Sequence, residues 1–364
     1  MFSEVKRNFG FGFMRLPMKD GEVDNEHVNR MVDRFIEAGF NYFDTAHGYI
    51  GGKSEIAIRE CLTSRYPRES YVLANKLSDW FFKSAEEVRP FFEQQLKICG
   101  VEYFDFYLLH SLTGSSYQKH KECRSFETVG QLKREGKIKH IAISFHDSAD
   151  VLDTILSEHP EIEAVQLQIN YLDYDDPGVQ SKKCYDVAAK HGKKVIVMEP
   201  VKGGALVNLP AAAVEEFKKL GGASPVSYAL RYAASYPEVF MVLSGMGNID
   251  MIESNIATMH PFTPLNEAEL KATDRARELI RECNQVPCTG CRYCAEVCPK
   301  NVPIAELFAA YNEYALAKVT KRQMYSPADS FEVKASDCIE CGKCENICPQ
   351  NINIRERLKG FVKK

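Results

Sequence analysis

From residue 24 to 260 the chain alternates short apolar runs with longer stretches in which apolar residues recur every three or four positions. The short runs suit strands buried on both faces and the longer ones amphipathic helices, so the alternation predicts parallel βα units. The strand candidates are Phe9–Met14, Asn41–Asp44, Tyr71–Lys76, Phe104–Leu109, Ile138–Ser144, Ala164–Ile169, Lys194–Met198 and Val239–Ser244, eight in all. Eight is the number for a (β/α)8 barrel, and an open doubly wound sheet is the rival that periodicity alone leaves standing. The helix after Gly21 collects Val28, Met31, Val32, Phe35 and Ile36 on one face and ends at Gly39. Ser84-x-x-Glu87 has the spacing of a capping box and opens another helix, with Val88, Phe91, Phe92, Leu96 and Cys99 as its stripe. Asn266–Cys283 reads as a helix leading out of this region, and Pro303–Val319 as one more, with Ile304, Leu307, Phe308, Tyr311 and Ala315 on one face.

Composition narrows the class. At 364 residues the chain suits about two domains, divided as 1–280 and 281–364. A net charge of −4 with scattered basic residues gives no footprint for nucleic acid or an acidic membrane. Met1-Phe2-Ser3-Glu4-Val5-Lys6-Arg7 carries no apolar export segment and no apolar run is long enough to span a bilayer, so a cytoplasmic protein is expected.

Of 13 cysteines, eight fall into two motifs. Cys288-x2-Cys291-x2-Cys294-x3-Cys298-Pro299 and Cys338-x2-Cys341-x2-Cys344-x3-Cys348-Pro349 have the spacing that lets three thiolates of one loop reach three corners of a [4Fe–4S] cube. In two-cluster ferredoxins the fourth cysteine ligates the other cluster, which groups Cys288, Cys291 and Cys294 with Cys348, and Cys338, Cys341 and Cys344 with Cys298. Two zinc sites are the alternative, but zinc calls for four ligands in paired spacing. The 39 residues between Cys298 and Cys338 contain the 303–319 helix, so this domain resembles a small, mainly α-helical two-[4Fe–4S] ferredoxin. The other cysteines, 61, 99, 123, 184 and 283, are isolated and read as small buried hydrophobes.

Candidate chemistry in the first region sits where strands end. Asp44, Lys76 and His110 close three successive strand candidates, and Tyr49 lies five residues beyond Asp44 across a small-residue turn. A phenol is a poor proton donor at neutral pH unless a cation lies beside it, and Lys76 offers one. Asp, Tyr, Lys and His in this order resemble the catalytic tetrad of the aldo-keto reductase family, a likeness that spans about residues 5 to 280 and favours the barrel over the open sheet. The resemblance implies Tyr49 as general acid–base, Lys76 lowering its pKa, Asp44 holding Lys76, and His110 orienting a carbonyl. His47 reads as a rim residue rather than an acid. Trp80, Phe81 and Phe82 read either as a pocket wall or as a patch packed on neighbouring loops.

The resemblance also implies a nicotinamide cofactor on the barrel rim without a Rossmann domain. Gly12, Phe13 and Met14 line the first strand's exit, Ser144 and Gln166 match carboxamide-binding positions, and Met198 stands where many members stack a Tyr. Ser244, Gly245 and Asn255 match the adenosine-phosphate segment. Neither Gly48–Ser54 nor Gly10-x-Gly12 completes a phosphate or dinucleotide fingerprint. Ser244–Ile256 contains Asp250 and Glu253 but no Lys or Arg, which favours NADH over NADPH. The expected activity is reduction of a carbonyl or oxidation of an alcohol. Phe145 and Met198 depart from the usual nicotinamide grip, so a flavin in the rim site is a second reading. A third is an electron-transfer or redox-sensing module whose barrel is non-catalytic, serving an external redox protein.

Overall fold

The computed structural model describes residues 2–221, 223–283, 285–320 and 331–360. All eight strand candidates are strands: β1 Phe9–Gly12, β2 Tyr42–Asp44, β3 Val72–Leu77, β4 Phe104–Leu112, β5 Ile138–Phe145, β6 Ala164–Gln168, β7 Lys194–Met198 and β8 Val239–Gly245. Each pairs in parallel with the next and β8 pairs with β1, closing the barrel. The open sheet is thereby excluded. An exposed hairpin, Met18–Lys19 with Glu22–Val23, is an addition that two-residue strands without a buried face do not announce.

The barrel interior is filled by alternate residues of the strands. Tyr42, Val72, Ala74, Phe106, Leu108, Ala142, Ala164, Ile196, Met241 and Leu243 form one buried cluster, and Phe2 and Val5 pack against it. The Phe2 ring lies 4.9 Å from Phe106, 4.7 Å from His140 and 4.6 Å from Phe240. Gly10 has no side chain because its neighbours occupy the space: a Cβ there would come within 2.8 Å of Leu243 and 2.9 Å of Tyr42.

Helix α1, Asn25–Glu37, is capped by Asp24, whose side chain accepts from the His27 amide, and the chain leaves it through Gly39 at φ 85°. Val28, Met31, Val32 and Phe35 are buried as its stripe requires. A short helix α2, Lys53–Ile58, follows the Tyr49 turn, and α3 spans Ala85–Cys99. The expected capping box at α3 does not form. Glu87 accepts instead from the Lys83 amide at 2.7 Å, and the Ser84 hydroxyl is engaged by Glu86.

Contacts divide the chain into two compact units, residues 1–200 with 230–264, and residues 201–229 with 265–364. In the second, helix Ala211–Lys218 packs on helix Glu267–Glu282. Its core is Val286, Val302, Ile304, Leu307, Phe308, Ala335, Ile352, Ile354 and Leu358 around Cys294 and Cys344. Ile304–Thr320 is the helix expected between the cysteine motifs.

Candidate active site and cysteine centre

The alternation that fills the barrel also builds the site. Counting by twos along each strand from the interior residues leads to Asp44 on β2, Lys76 on β3, His110 on β4, Ser144 on β5, Gln166 on β6 and Met198 on β7. These six residues form the last layer of the interior, at the carboxyl ends of the strands, the face where such barrels carry their chemistry. Gly12 and Gly245, adjacent in register, complete the ring.

Lys76 Nζ donates to Asp44 Oδ1 at 2.6 Å and to the Thr45 carbonyl at 2.9 Å, both inside the protein. Burial pushes the lysine below its ordinary range and the aspartate above its own, and each is held charged by the other. The ammonium lies 4.8 Å from the centre of the Tyr49 ring, whose centroid is 6.1 Å from that of His110. Burial first, then Lys76, drives His110 well below the usual histidine range, so it is neutral. Its Nδ1 pairs with Ser78 Oγ at 2.6 Å; with Ser78 donating, Nε2 carries the proton and is the donor of the ring.

Tyr49 is set by a strained turn. Ile50, Gly51 and Gly52 have φ of 53°, 61° and 86°, and at the β-branched Ile50 this conformation costs about 1–3 kcal/mol. Buried Ser54 holds the far side by donating to the Phe13 carbonyl at 2.9 Å and pairing with Thr45 Oγ1 at 2.7 Å.

The sequence reading missed a buried network behind this layer. Glu55 on α2 is wholly buried and accepts from Asn75 at 2.8 Å, from Gln95 at 2.9 Å and from His47 Nδ1 at 2.6 Å. Gln95 also donates to the Lys76 carbonyl at 3.0 Å, and Asn75 Oδ1 accepts from the Lys76 amide at 2.8 Å. The clue was available: Gln95 interrupts the apolar stripe of α3 between Phe92 and Leu96.

Among the cofactor positions, Ser144 and Gln166 are buried neighbours in register, and Ser144 Oγ accepts from the Ser111 amide at 2.6 Å. Asn255 donates to Ser244 Oγ at 3.1 Å. Phe13 is wholly buried, its ring 4.9 Å from Phe11 and 5.9 Å from Phe43, which leaves its backbone rather than its side chain at the strand exit. Gly12 and Met14 flank it there, and Phe145, next on β5 after Ser144, is buried on the opposite face. Two cations also escaped the sequence reading. Arg15 runs across Gly245, where a Cβ would lie 3.1 Å from its side chain, and reaches to 3.9 Å from Glu199. Arg34 clasps Glu253 with two bonds of 2.6 and 3.0 Å.

In the second unit both cysteine motifs take the same backbone path. Gly290 and Glu340, Arg292 and Gly342, and Asn301 and Asn351 are matched pairs of positive-φ residues. The amides of Gly290, Val302 and Glu340 each donate to a cysteine sulfur at 3.4 Å, those of Cys288, Cys298 and Cys338 respectively. Such donors suit sulfurs that carry negative charge in a cluster. Cys298, Cys338, Cys341 and Cys344 line one small cavity, the crossed set. Cys294, whose thiol burial pushes up to about 12, has Cys288, Cys291 and Cys348 among its electrostatic neighbours. No group of three or more His, Cys, Asp or Glu among the described residues is arranged to hold a single metal ion. Gly203, at φ 61°, abuts the loop between Cys288 and Cys291 so closely that a Cβ would fall 2.2 Å from the Thr289 carbonyl oxygen. The isolated cysteines 61, 99, 123, 184 and 283 are all buried.

A barrel with this layer at its carboxyl face, followed by a paired-cysteine domain, defines an oxidoreductase of aldo-keto reductase type with a ferredoxin-like extension. The chain belongs to the aldo/keto reductase family, which it matches over residues 8–278, and residues 287–352 match the 4Fe-4S dicluster domain. It is 28% identical over 273 residues to L-galactose dehydrogenase of Arabidopsis thaliana, covering 69% of this chain and 83% of that protein. The holo form of aldo-keto reductase AKR11C1 from Bacillus halodurans superposes with a TM-score of 0.60 at 25% identity, over 74% of this chain and 91% of that one. An aldo-keto reductase from Klebsiella pneumoniae in complex with NADPH shares the fold, with a TM-score of 0.60 at 19% identity over 74% of this chain and 90% of the other. No helix among the described residues is long and apolar enough to cross a membrane.

Proposed function

We propose that the barrel interconverts a carbonyl and an alcohol with a nicotinamide cofactor, with Tyr49, Lys76, Asp44 and His110 as its acid–base machinery. The observation that carries this reading is the buried Lys76–Asp44 pair directly beside the Tyr49 ring. The nicotinamide, when bound, supplies or accepts the hydride. The protein's part is proton transfer and charge. His110 Nε2–H holds the carbonyl oxygen, Tyr49 passes it the proton, and the Lys76 ammonium stabilises the charge that remains on the phenolic oxygen. Asp44 keeps Lys76 charged and in place despite its burial.

Ser144 and Gln166 are proposed to hold the carboxamide, Met198 to pack on the ring, and Gly12, Phe13 and Met14 to line the cofactor with backbone. Ser244, Gly245 and Asn255 take the adenosine side. Arg15, lying over Gly245, suits the diphosphate common to both nicotinamide cofactors. Glu253 is already neutralised by Arg34, and Ser244–Ile256 offers a 2′-phosphate no cation of its own, which supports NADH as the preferred form. Competitive titration of NADH and NADPH tests this, and tighter NADPH binding refutes it. Tyr49→Phe tests the acid–base assignment: turnover of carbonyls falls by about 10²–10⁴ with cofactor affinity kept, and near-normal kcat would remove the tetrad.

The two cysteine sets are proposed to hold two [4Fe–4S] clusters, which supply one-electron transfer when present. Within that unit Cys341 is exposed and Ile339 is 56% exposed, so an external redox protein would approach the second set. Anaerobic purification with analysis of iron, sulfide, nicotinamide and flavin tests the cofactor content directly.

A further inference from the structure

The proposed machinery leaves one pair unused. Glu55 is wholly buried, and no lysine or arginine pairs with it among the described residues. Its Oε1 is filled by the Asn75 and Gln95 amides, and its Oε2 takes the only ionisable partner, His47 Nδ1, at 2.6 Å. A carboxylate only accepts, so the proton of this bond belongs to Nδ1. The bond therefore fixes ring orientation and tautomer together, and in the neutral ring the lone pair falls on Nε2. Among the described residues the ring's hydrogen bond is the one through Nδ1, and the side chain is 19% exposed, so Nε2 is left to solvent or a ligand.

The ring itself sits beside the Tyr49 turn. His47 precedes the tyrosine by two residues, and its ring stands edge-on to Phe81 at 4.7 Å. Phe81 also covers Gly48, where a Cβ would lie 3.6 Å from the ring. Trp80, the next residue, stands 5.3 Å from His110. His47, Phe81, Trp80 and His110 thus form an arc about Tyr49, and its two middle members are 42% and 39% exposed. One end of the arc is the proposed carbonyl donor. The other is an acceptor held by a carboxylate.

We propose that His47, oriented by Glu55, is a specificity residue that accepts a hydrogen bond from a substrate hydroxyl near the reacting carbon, so that hydroxylated carbonyl compounds are favoured over their deoxy counterparts. This rests on the carbonyl–alcohol reading. A hydroxyl on the substrate satisfies Nε2, whereas an alkyl group displaces water from that nitrogen without replacing its hydrogen bond.

The test compares kcat/KM for D-glyceraldehyde and propanal in the full-length, cluster-loaded protein. The wild type favours glyceraldehyde. His47→Asn keeps a donor for Glu55 where Nδ1 stood and removes Nε2, and the glyceraldehyde-to-propanal ratio falls about tenfold, the scale of one neutral hydrogen bond. Glu55→Gln keeps an oxygen for Asn75 and Gln95 but turns a donor toward Nδ1, which moves the ring proton to Nε2 and also lowers the ratio. An unchanged ratio in His47→Asn overturns the inference, as does an equal loss for both aldehydes, which marks a merely structural histidine. A wild type that binds nicotinamide yet reduces neither aldehyde overturns the carbonyl reading itself, and this inference with it.

Discussion

Removing one member of the Asp44–Lys76 pair should cost more than removing both. The two side chains are 5% and 1% exposed and 2.6 Å apart, so each charge depends on the other for its solvation. Lys76→Met leaves a buried carboxylate whose second oxygen, Oδ2, already has no hydrogen-bond partner among the described residues. Asp44→Asn leaves an ammonium with the Thr45 carbonyl and the face of the Tyr49 ring beside it but no counter-charge. Orphaning a buried charge costs about 3–5 kcal/mol. The double variant carries no buried charge and leaves only a neutral amide to satisfy, a loss of about 1–3 kcal/mol. Two independent sites would instead add, to about 6–10 kcal/mol. The assay is urea unfolding of each variant followed by the fluorescence of Trp80, the single tryptophan of the chain, which reports the barrel unit alone. Turnover, measured in parallel, is lost in Lys76→Met and does not return in the double variant, since the cation beside Tyr49 is still missing. A double variant destabilised by the sum of the singles would refute the pair as a coupled unit.

Cys298→Ser should alter the electron paramagnetic resonance signal of the cluster held mainly by the second motif, and loss confined to the first-motif cluster would show an uncrossed arrangement. Gly203→Ala should lower iron content or perturb the first-motif cluster, because its Cβ would collide with the Thr289 carbonyl at 2.2 Å, and a native spectrum would refute that contact. At the other end of the barrel, burial opposes ionisation of Glu163, but its bonds to His140 and Lys133 prevail and bring it from 4.5 down to about 2. The stability it contributes is present above pH 4.5 and is lost as the pH falls toward 2. For this half-buried group the contribution is about 1–2 kcal/mol after allowance for solvent screening. His140, raised by Glu163 and Glu4 against its burial, contributes below its ordinary pKa and loses that contribution as the pH climbs past its raised value. The melting-temperature gap between wild type and Glu163→Gln, read by Trp80, should therefore narrow below about pH 4, and a pH-independent gap would contradict this account.

The barrel was legible because its strands are buried on both faces and so appear as unbroken apolar runs. The grouping of the four residues was legible because strand ends place Asp44, Lys76 and His110 on one rim, and a family pattern joined them to Tyr49. Arg15 and Glu55 were hidden for a different reason. Each acts through tertiary neighbours, Gly245 and His47, that local periodicity cannot bring together. The cation count of Ser244–Ile256 shows the same limit, since the charge that meets Glu253 comes from Arg34 on α1. Ser84 had the spacing of a cap, but Glu86 competes for its hydroxyl.

The division of contacts bears on how the chain is made. Residues 201–229, which lie between β7 and β8, belong to the same compact unit as residues 265–364. During synthesis that crossover leaves the ribosome before helix Glu267–Glu282 exists to receive it. Its packing partner is made only when the C-terminal part of the chain follows. Residues 265–282 are consequently no tail to be clipped off for convenience. Shortening the gene at residue 264 would remove helix Glu267–Glu282, the surface on which helix Ala211–Lys218 packs, although the barrel sequence itself encodes the latter helix.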